Sequence, residues 1–141
     1  GSSECLVCRV FGPHMNPRHN LGSTRILVRD ACFNKTTKDE YEKLAKEKGL
    51  SYIEKKTENL VLRTTGTAKD PRSQERVPAG AKFDIEIVIQ VYDIDSENDL
   101  IDFVKEGLGQ VQSTYLGGFG SRGSGKVSFH DMKLDGASFS L

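Results

Sequence analysis

No run of apolar residues in this chain approaches the roughly 20 that a membrane-spanning helix requires. Nor does a charged segment followed by an apolar one open it, so no secretion signal is expected. The first residue is Gly rather than Met, and the expectation is a chain cut, engineered or processed at its start. Cysteine is scarce: three residues with no export signal point to a reducing compartment, where disulfides are rare. Tryptophan is absent and proline occurs four times. Net charge is also missing, because 20 basic residues cancel 20 acidic ones, and at face value this excludes a nucleic-acid binder.

What is present qualifies that exclusion. With 36% hydrophobic and 28% charged residues in 141 positions, the composition is that of one soluble globular domain. The charge is unevenly spread. Residues 55–82 hold seven basic and three acidic residues, a local charge of +4, and residues 83–114 hold eight acidic residues against Lys105, a local charge of −7. Such asymmetry between neighbouring segments implies two surfaces with different partners, although charged residues also simply decorate solvated faces.

Residues 1–23 show no periodicity and read as loop. Residues 24–32 (TRILVRDAC) read as a strand. Thr37 can cap a helix that runs to Lys48 and stops at Gly49, and 50–56 suits a short strand. Residues 58–76 alternate polar, aliphatic and basic residues around Gly66 and Pro71, which predicts an extended hairpin with an exposed tip. Residues 83–92 carry the strongest strand signal, with Phe83, Ile85, Ile87, Ile89 and Val91 on one face. Ser96 and Asp99 form a capping pair for a helix to about Gln112. The glycine-rich stretch 116–126 (LGGFGSRGSGK) follows, then a strand-like 127–129. The plan is α+β with an antiparallel sheet, resembling a ferredoxin-like β-α-β-β-α-β unit that lacks its first strand and helix.

The glycine stretch fits two nucleotide-binding patterns, G-x-G-x-x-G at Gly118, Gly120 and Gly123, and the start of G-x-x-x-x-G-K-[ST] at Gly120, Gly125 and Lys126. Context rejects both: a helix precedes the loop and a strand follows it, and Val127 replaces the magnesium-binding hydroxyl. Bare backbone amides with Arg122 and Lys126 still suit a phosphate, while a turn serving only the sheet is the plainer alternative. Cys5-x-x-Cys8 has zinc-knuckle spacing, with Cys32, His14 and His19 as further donors, against buried free thiols. A thioredoxin-type role is disfavoured because no strand precedes the pair and no helix pattern follows it. His130 is isolated, and no nucleophilic triad can be assembled.

Three blocks occur in order: Arg9-Val10-Phe11-Gly12, ENLVLRTTGTAKDPRSQERVPAGAKF at 58–83, and LGGFGSRGSGKVSF at 116–129. Together they resemble the RAMP-superfamily backbone subunit of type III CRISPR effector complexes, most closely the type III-A (Csm) form, and specifically its C-terminal portion. The resemblance implies a modified RNA-recognition fold, with one RAMP domain portion over 1–141 repeated as a filament along a guide RNA, with target RNA and other subunits as partners, in a prokaryotic cytoplasm. Residues 57–80, around Arg63, Arg72 and Arg76, would be a β-hairpin thumb wedged between guide and target. Gly117, Gly118, Gly120, Ser121, Arg122, Gly123 and Lys126 would meet the guide backbone. Relatives with a zinc-binding cysteine cluster before the F-G motif make Cys5 and Cys8 candidate structural zinc ligands. Family members cleave target RNA with a divalent metal and an Asp after the first strand. That Asp precedes the R-x-F-G block, so no catalytic residue is assigned to this chain. The competing reading is a zinc-stabilised protein-interaction module that binds no RNA.

Overall fold

A computed structural model describes residues 4–15, 18–49 and 52–141. In chain order the elements are α1 (Leu6–Phe11), β1 (Ile26–Val28), β2 (Cys32–Phe33), α2 (Lys35–Lys48), β3 (Glu54–Val61), β4 (Ala68–Arg76), β5 (Phe83–Asp84), β6 (Ile87–Ile89), α3 (Glu97–Ser113), a 3-10 turn (Gly120–Arg122), β7 (Lys133–Leu134) and β8 (Ala137–Ser138). The α+β class holds, with three helices among the described residues and two-stranded sheets pairing β1 with β6, β2 with β5, β3 with β4 and β7 with β8. The chain divides into two compact units, residues 1–27 with 87–141, and residues 28–86.

In the first unit the buried apolar side chains are Val10, Leu21 and Leu100. Val10 comes from α1, a helix inside the 1–23 stretch that the sequence reads as loop; positions 1–3, 16 and 17 of that stretch lie outside the described residues. Six residues are too short for a helical period to show in the sequence. Packing holds the helix instead: Phe11 meets Phe103 of α3 edge-on at 6.4 Å, and the Val10 carbonyl accepts the Arg25 N–H at 3.0 Å. Helix α3 matches expectation, because Ser96 caps it by accepting the Asp99 N–H at 3.5 Å. Residues 127–129 form no strand. The Phe129 N–H donates to Gln112 Oε1 at 2.8 Å, and the chain closes instead with the β7–β8 hairpin. Asp135 and Gly136 form its two-residue turn with φ of 48° and 87°, as a type I′ turn requires.

In the second unit α2 starts at Lys35, capped by Asn34, whose Oδ1 accepts the Thr37 N–H at 2.9 Å. The predicted cap, Thr37, lies inside the helix, buried, and its Oγ1 accepts the Lys82 N–H at 3.1 Å. Phe33 stacks on Phe83 at 4.7 Å and meets Tyr41 edge-on at 5.5 Å. The strand expected over 50–56 begins at Glu54 as β3, with Leu50 and Ser51 outside the described residues.

The two strands predicted at 24–32 and 83–92 are each divided in two, β1 and β2, β5 and β6. The one-sided burial predicted for 83–92 is absent. Phe83, Ile85 and Val91 are exposed, while Ile87, Val88 and Ile89 are all half-buried, so both faces of β6 are partly covered.

Candidate nucleic-acid interface

The hairpin β3–β4 pairs Glu54 with Arg76, Lys55 with Glu75, Lys56 with Gln74, Thr57 with Ser73 and Glu58 with Arg72. Directly opposed residues share a face of an antiparallel pair. One face therefore carries Glu54, Lys56, Glu58, Arg72, Gln74 and Arg76. Register slips after Glu58, where Leu60 lies opposite Lys69. The slip coincides with Asp70, whose φ is 52°, and with Pro71, which has no N–H for a ladder. The tip closes through the Leu62 N–H to the Thr67 carbonyl at 3.0 Å and the Gly66 N–H to the Leu62 carbonyl at 2.8 Å.

The three arginines singled out from the sequence stand in different surroundings. Arg76 is bound by Glu54 through two hydrogen bonds, Nε–H to Oε2 at 2.9 Å and Nη2–H to Oε1 at 3.0 Å. The hydrogen bond from Arg76 lowers the Glu54 carboxyl, and the same bond raises the Arg76 guanidinium. Arg72 faces Glu58, whose carboxylate is 3.1 Å from Lys56 Nζ. Arg63 stands exposed in the tip. Lys69, which the sequence reading counted only as charge, is exposed at the bulge. The base of the hairpin thus neutralises itself, and in the outer half Arg63, Lys69 and Arg72 outnumber Asp70, leaving a positive surplus there.

The glycine loop belongs to the first unit and is closed by the Leu116 N–H donating to the Gly125 carbonyl at 2.8 Å. Within it the Arg122 and Ser124 amides donate to the Phe119 carbonyl at 2.9 and 3.3 Å, and the Gly123 amide donates to the Gly120 carbonyl at 3.0 Å. These amides, expected bare, are engaged by the loop itself, while the side chains of Ser121, Arg122 and Lys126 are exposed. Gly125 has no room for a side chain: a Cβ there would lie 2.2 Å from the Leu116 carbonyl oxygen. At Gly120 it would lie 2.1 Å from the Tyr115 ring. Gly117, Gly118 and Gly123 meet no such obstacle. The Arg122 guanidinium lies over the Phe119 ring, 5.5 Å from its centroid, a contact the sequence reading missed although Phe119 is the only aromatic residue between Leu116 and Lys126.

Cys5 occupies the N-cap of α1 and Cys8 lies one turn on. The Cys8 N–H, with the Cys8 thiol and the Val7 N–H, lowers the Cys5 thiol pKa against the opposing effect of burial. Among the described residues no three His, Cys, Asp or Glu side chains converge as a metal site would require. Two sulfur donors do not make the four-ligand shell of structural zinc, so the described residues do not fit that metal by themselves. Cys32 is exposed in the second unit. No helix of the described residues is long and apolar enough to cross a membrane.

Comparison with known proteins gives a consistent answer. No family model matches the chain. It is 39% identical over 142 aligned positions to the CRISPR system Cms endoribonuclease Csm3 of Methanothermobacter thermautotrophicus, covering 93% of this chain and 56% of that protein. It is 39% identical over 134 positions to the protein of the same name from Methanocaldococcus jannaschii, covering 93% and 50%. With the one from Enterococcus italicus it shares 35% over 123 positions, covering 87% and 54%. The chain thus spans about half the length of the curated relatives it matches. The resemblance carried by the three sequence blocks is borne out.

Proposed function

We propose that this chain, homologous over most of its length to proteins named Csm3 endoribonuclease, is the RNA-holding part of a backbone subunit in a type III CRISPR ribonucleoprotein. The observation that carries the reading is the coincidence of that homology with a hairpin whose exposed outer half carries Arg63, Lys69 and Arg72 against Asp70, a surplus of positive charge. Arginine and lysine neutralise phosphates without reading bases, which suits a subunit that must accept any guide sequence.

In this reading the chain is a ferredoxin-like, RNA-recognition-type domain portion. Residues 57–80 act as the thumb between guide and target, and the loop 117–126 follows the guide through Ser121, Arg122 and Lys126. Arg76, tied to Glu54, positions the hairpin base. Glu97, Asp99, Asp102 and Glu106 are exposed along α3, and their negative charge suits copies of the subunit or other proteins of the complex rather than RNA. The assembly would position target RNA in a prokaryotic cytoplasm for metal-dependent cutting at intervals, a step assigned to no residue of this chain.

Fluorescence anisotropy with unstructured single-stranded RNA across a salt series tests the proposal. Neutralising one phosphate on a single strand contributes about 0.7 to the log–log salt slope. Arg72→Ala and Arg122→Ala should each weaken binding to every RNA sequence about equally and flatten the slope by about that amount. Arg76→Ala should change the slope less than Arg72→Ala. A wild-type chain with no salt-dependent RNA retention would refute the assignment, as would defects confined to particular sequences.

A further inference from the structure

Phe119 has a backbone that its residue type resists. Its φ of 62° and ψ of 25° place a bulky aromatic residue in the left-handed region, where an L side chain is strained, between two glycines that would adopt it freely. Three features hold it there: its carbonyl accepts two amides of the following turn, the neck is closed by Leu116 and Gly125, and Tyr115 packs against the bare α-carbon of Gly120. The ring gains only partial burial in return, since 51% of the residue remains exposed. One contact of the ring is the Arg122 guanidinium, 5.5 Å from its centroid. Strain of this kind, over-determined by its surroundings and only partly offset by burial of the strained side chain, is characteristic of binding surfaces.

We infer that Phe119 is a stacking platform for a nucleobase of single-stranded RNA, with Arg122 placed to back the ring and reach the adjoining phosphate. The inference rests on the RNA-binding reading above and adds a contact of a different kind, since a π-face accepts any base and is indifferent to salt. Arg122 gains twice from its position: its guanidinium lies over the ring in a cation–π contact, and its charge stays beside the loop where a backbone would pass. A loop that binds phosphate alone would have no use for the aromatic ring.

The test compares two probes with the full chain, an unstructured RNA and an oligomer of the same length and charge with abasic ribose positions. The wild-type chain should bind the base-bearing probe more tightly. Phe119→Leu keeps an apolar side chain and removes the π-face. It should weaken binding to the base-bearing probe about tenfold, as loss of one stacked base implies, leave the abasic probe unaffected, and preserve the salt slope. Phe119→Trp should restore the affinity, with its fluorescence quenched on binding. Equal losses on both probes, a flattened slope, or an unaffected Phe119→Leu variant would overturn the platform while leaving RNA binding standing. A wild-type chain that binds neither probe would overturn both readings.

Discussion

At the scale of single residues, Asp95 is a tightly held buried charge among the described residues. Its side chain has no solvent exposure; it accepts the Nε–H and Nη2–H of Arg25 at 2.9 and 3.3 Å and the Tyr92 N–H at 3.1 Å, with Arg9 Nη1 3.6 Å away. Burial pushes this carboxyl up, but the Arg25 and Tyr92 hydrogen bonds and the charges of Arg25 and Arg9 outweigh it, leaving the pKa below its ordinary value. Arg25 is buried too, with Nη1 donating to the Leu21 and Ser23 carbonyls and its guanidinium over the Tyr92 ring at 4.9 Å. Removing one member of such a pair strands the other, at a cost of about 3–5 kcal/mol. Asp95→Asn should therefore lower the unfolding free energy obtained from urea melts at neutral pH by that order. Because the folded pKa is depressed, the stabilisation is complete above the unfolded value of about 3.9 and is lost as pH falls through the folded one. The gap between wild type and Asp95→Asn should accordingly narrow as the acid limb is descended, and a constant gap would assign the loss to packing. In the sequence Asp95 was one of eight acids in a −7 stretch, and nothing local marked it, because its partners lie 70 and 86 positions away.

At the scale of elements, what could be read from sequence divides by the range of the forces involved. Helices α2 and α3 were legible to within a few residues because their caps and stops are local, although Asn34 displaced Thr37 as cap. Strands 24–32 and 83–92 were legible as extended chain but not in their interruptions, because pairing is decided by a distant partner. The glycine loop was legible as glycine-rich and its internal engagement was not. That engagement separates its glycines. At Gly125, where φ is 80° and a Cβ would strike the Leu116 carbonyl, a side chain is barred by both conformation and space. Gly125→Ala should cost about 1–3 kcal/mol and lose RNA affinity with the loop geometry. Gly118→Ala meets nothing within 4 Å, and its melting temperature should match wild type, since a surface change without strain stays within about 0.5 kcal/mol. Thermal melts of the two variants check the contrast. Equal destabilisation would mean that the Leu116–Gly125 closure does not hold the loop.

At the scale of the whole molecule the balance between burial and exposure matters most. Among the described residues the buried apolar side chains, Val10, Leu21 and Leu100, all lie in the first unit, and the buried residue of the second is Thr37. In the second unit Val28, Ile85 and Phe83 are exposed by 63, 48 and 41%. Ordering a residue's backbone costs roughly 1–2 kcal/mol, and so small a set of fully buried side chains offsets little of it, so a bound partner should add measurably to the chain's stability. The matched relatives are nearly twice as long, since this chain covers 50–56% of the first two. Two kinds of partner then predict different denaturation curves. Single-stranded RNA bound through phosphates and a stacked base buries little apolar surface, so RNA at a hundred times its Kd should add about 2.7 kcal/mol by mass action and leave the urea m-value nearly unchanged. The segment corresponding to the rest of a relative, supplied in trans, should raise both the midpoint and the m-value, because m grows with the surface re-exposed on unfolding. A rise in midpoint at constant m with that segment would show that it docks away from the apolar side chains of Val28, Phe83 and Ile85 and leaves them to another partner.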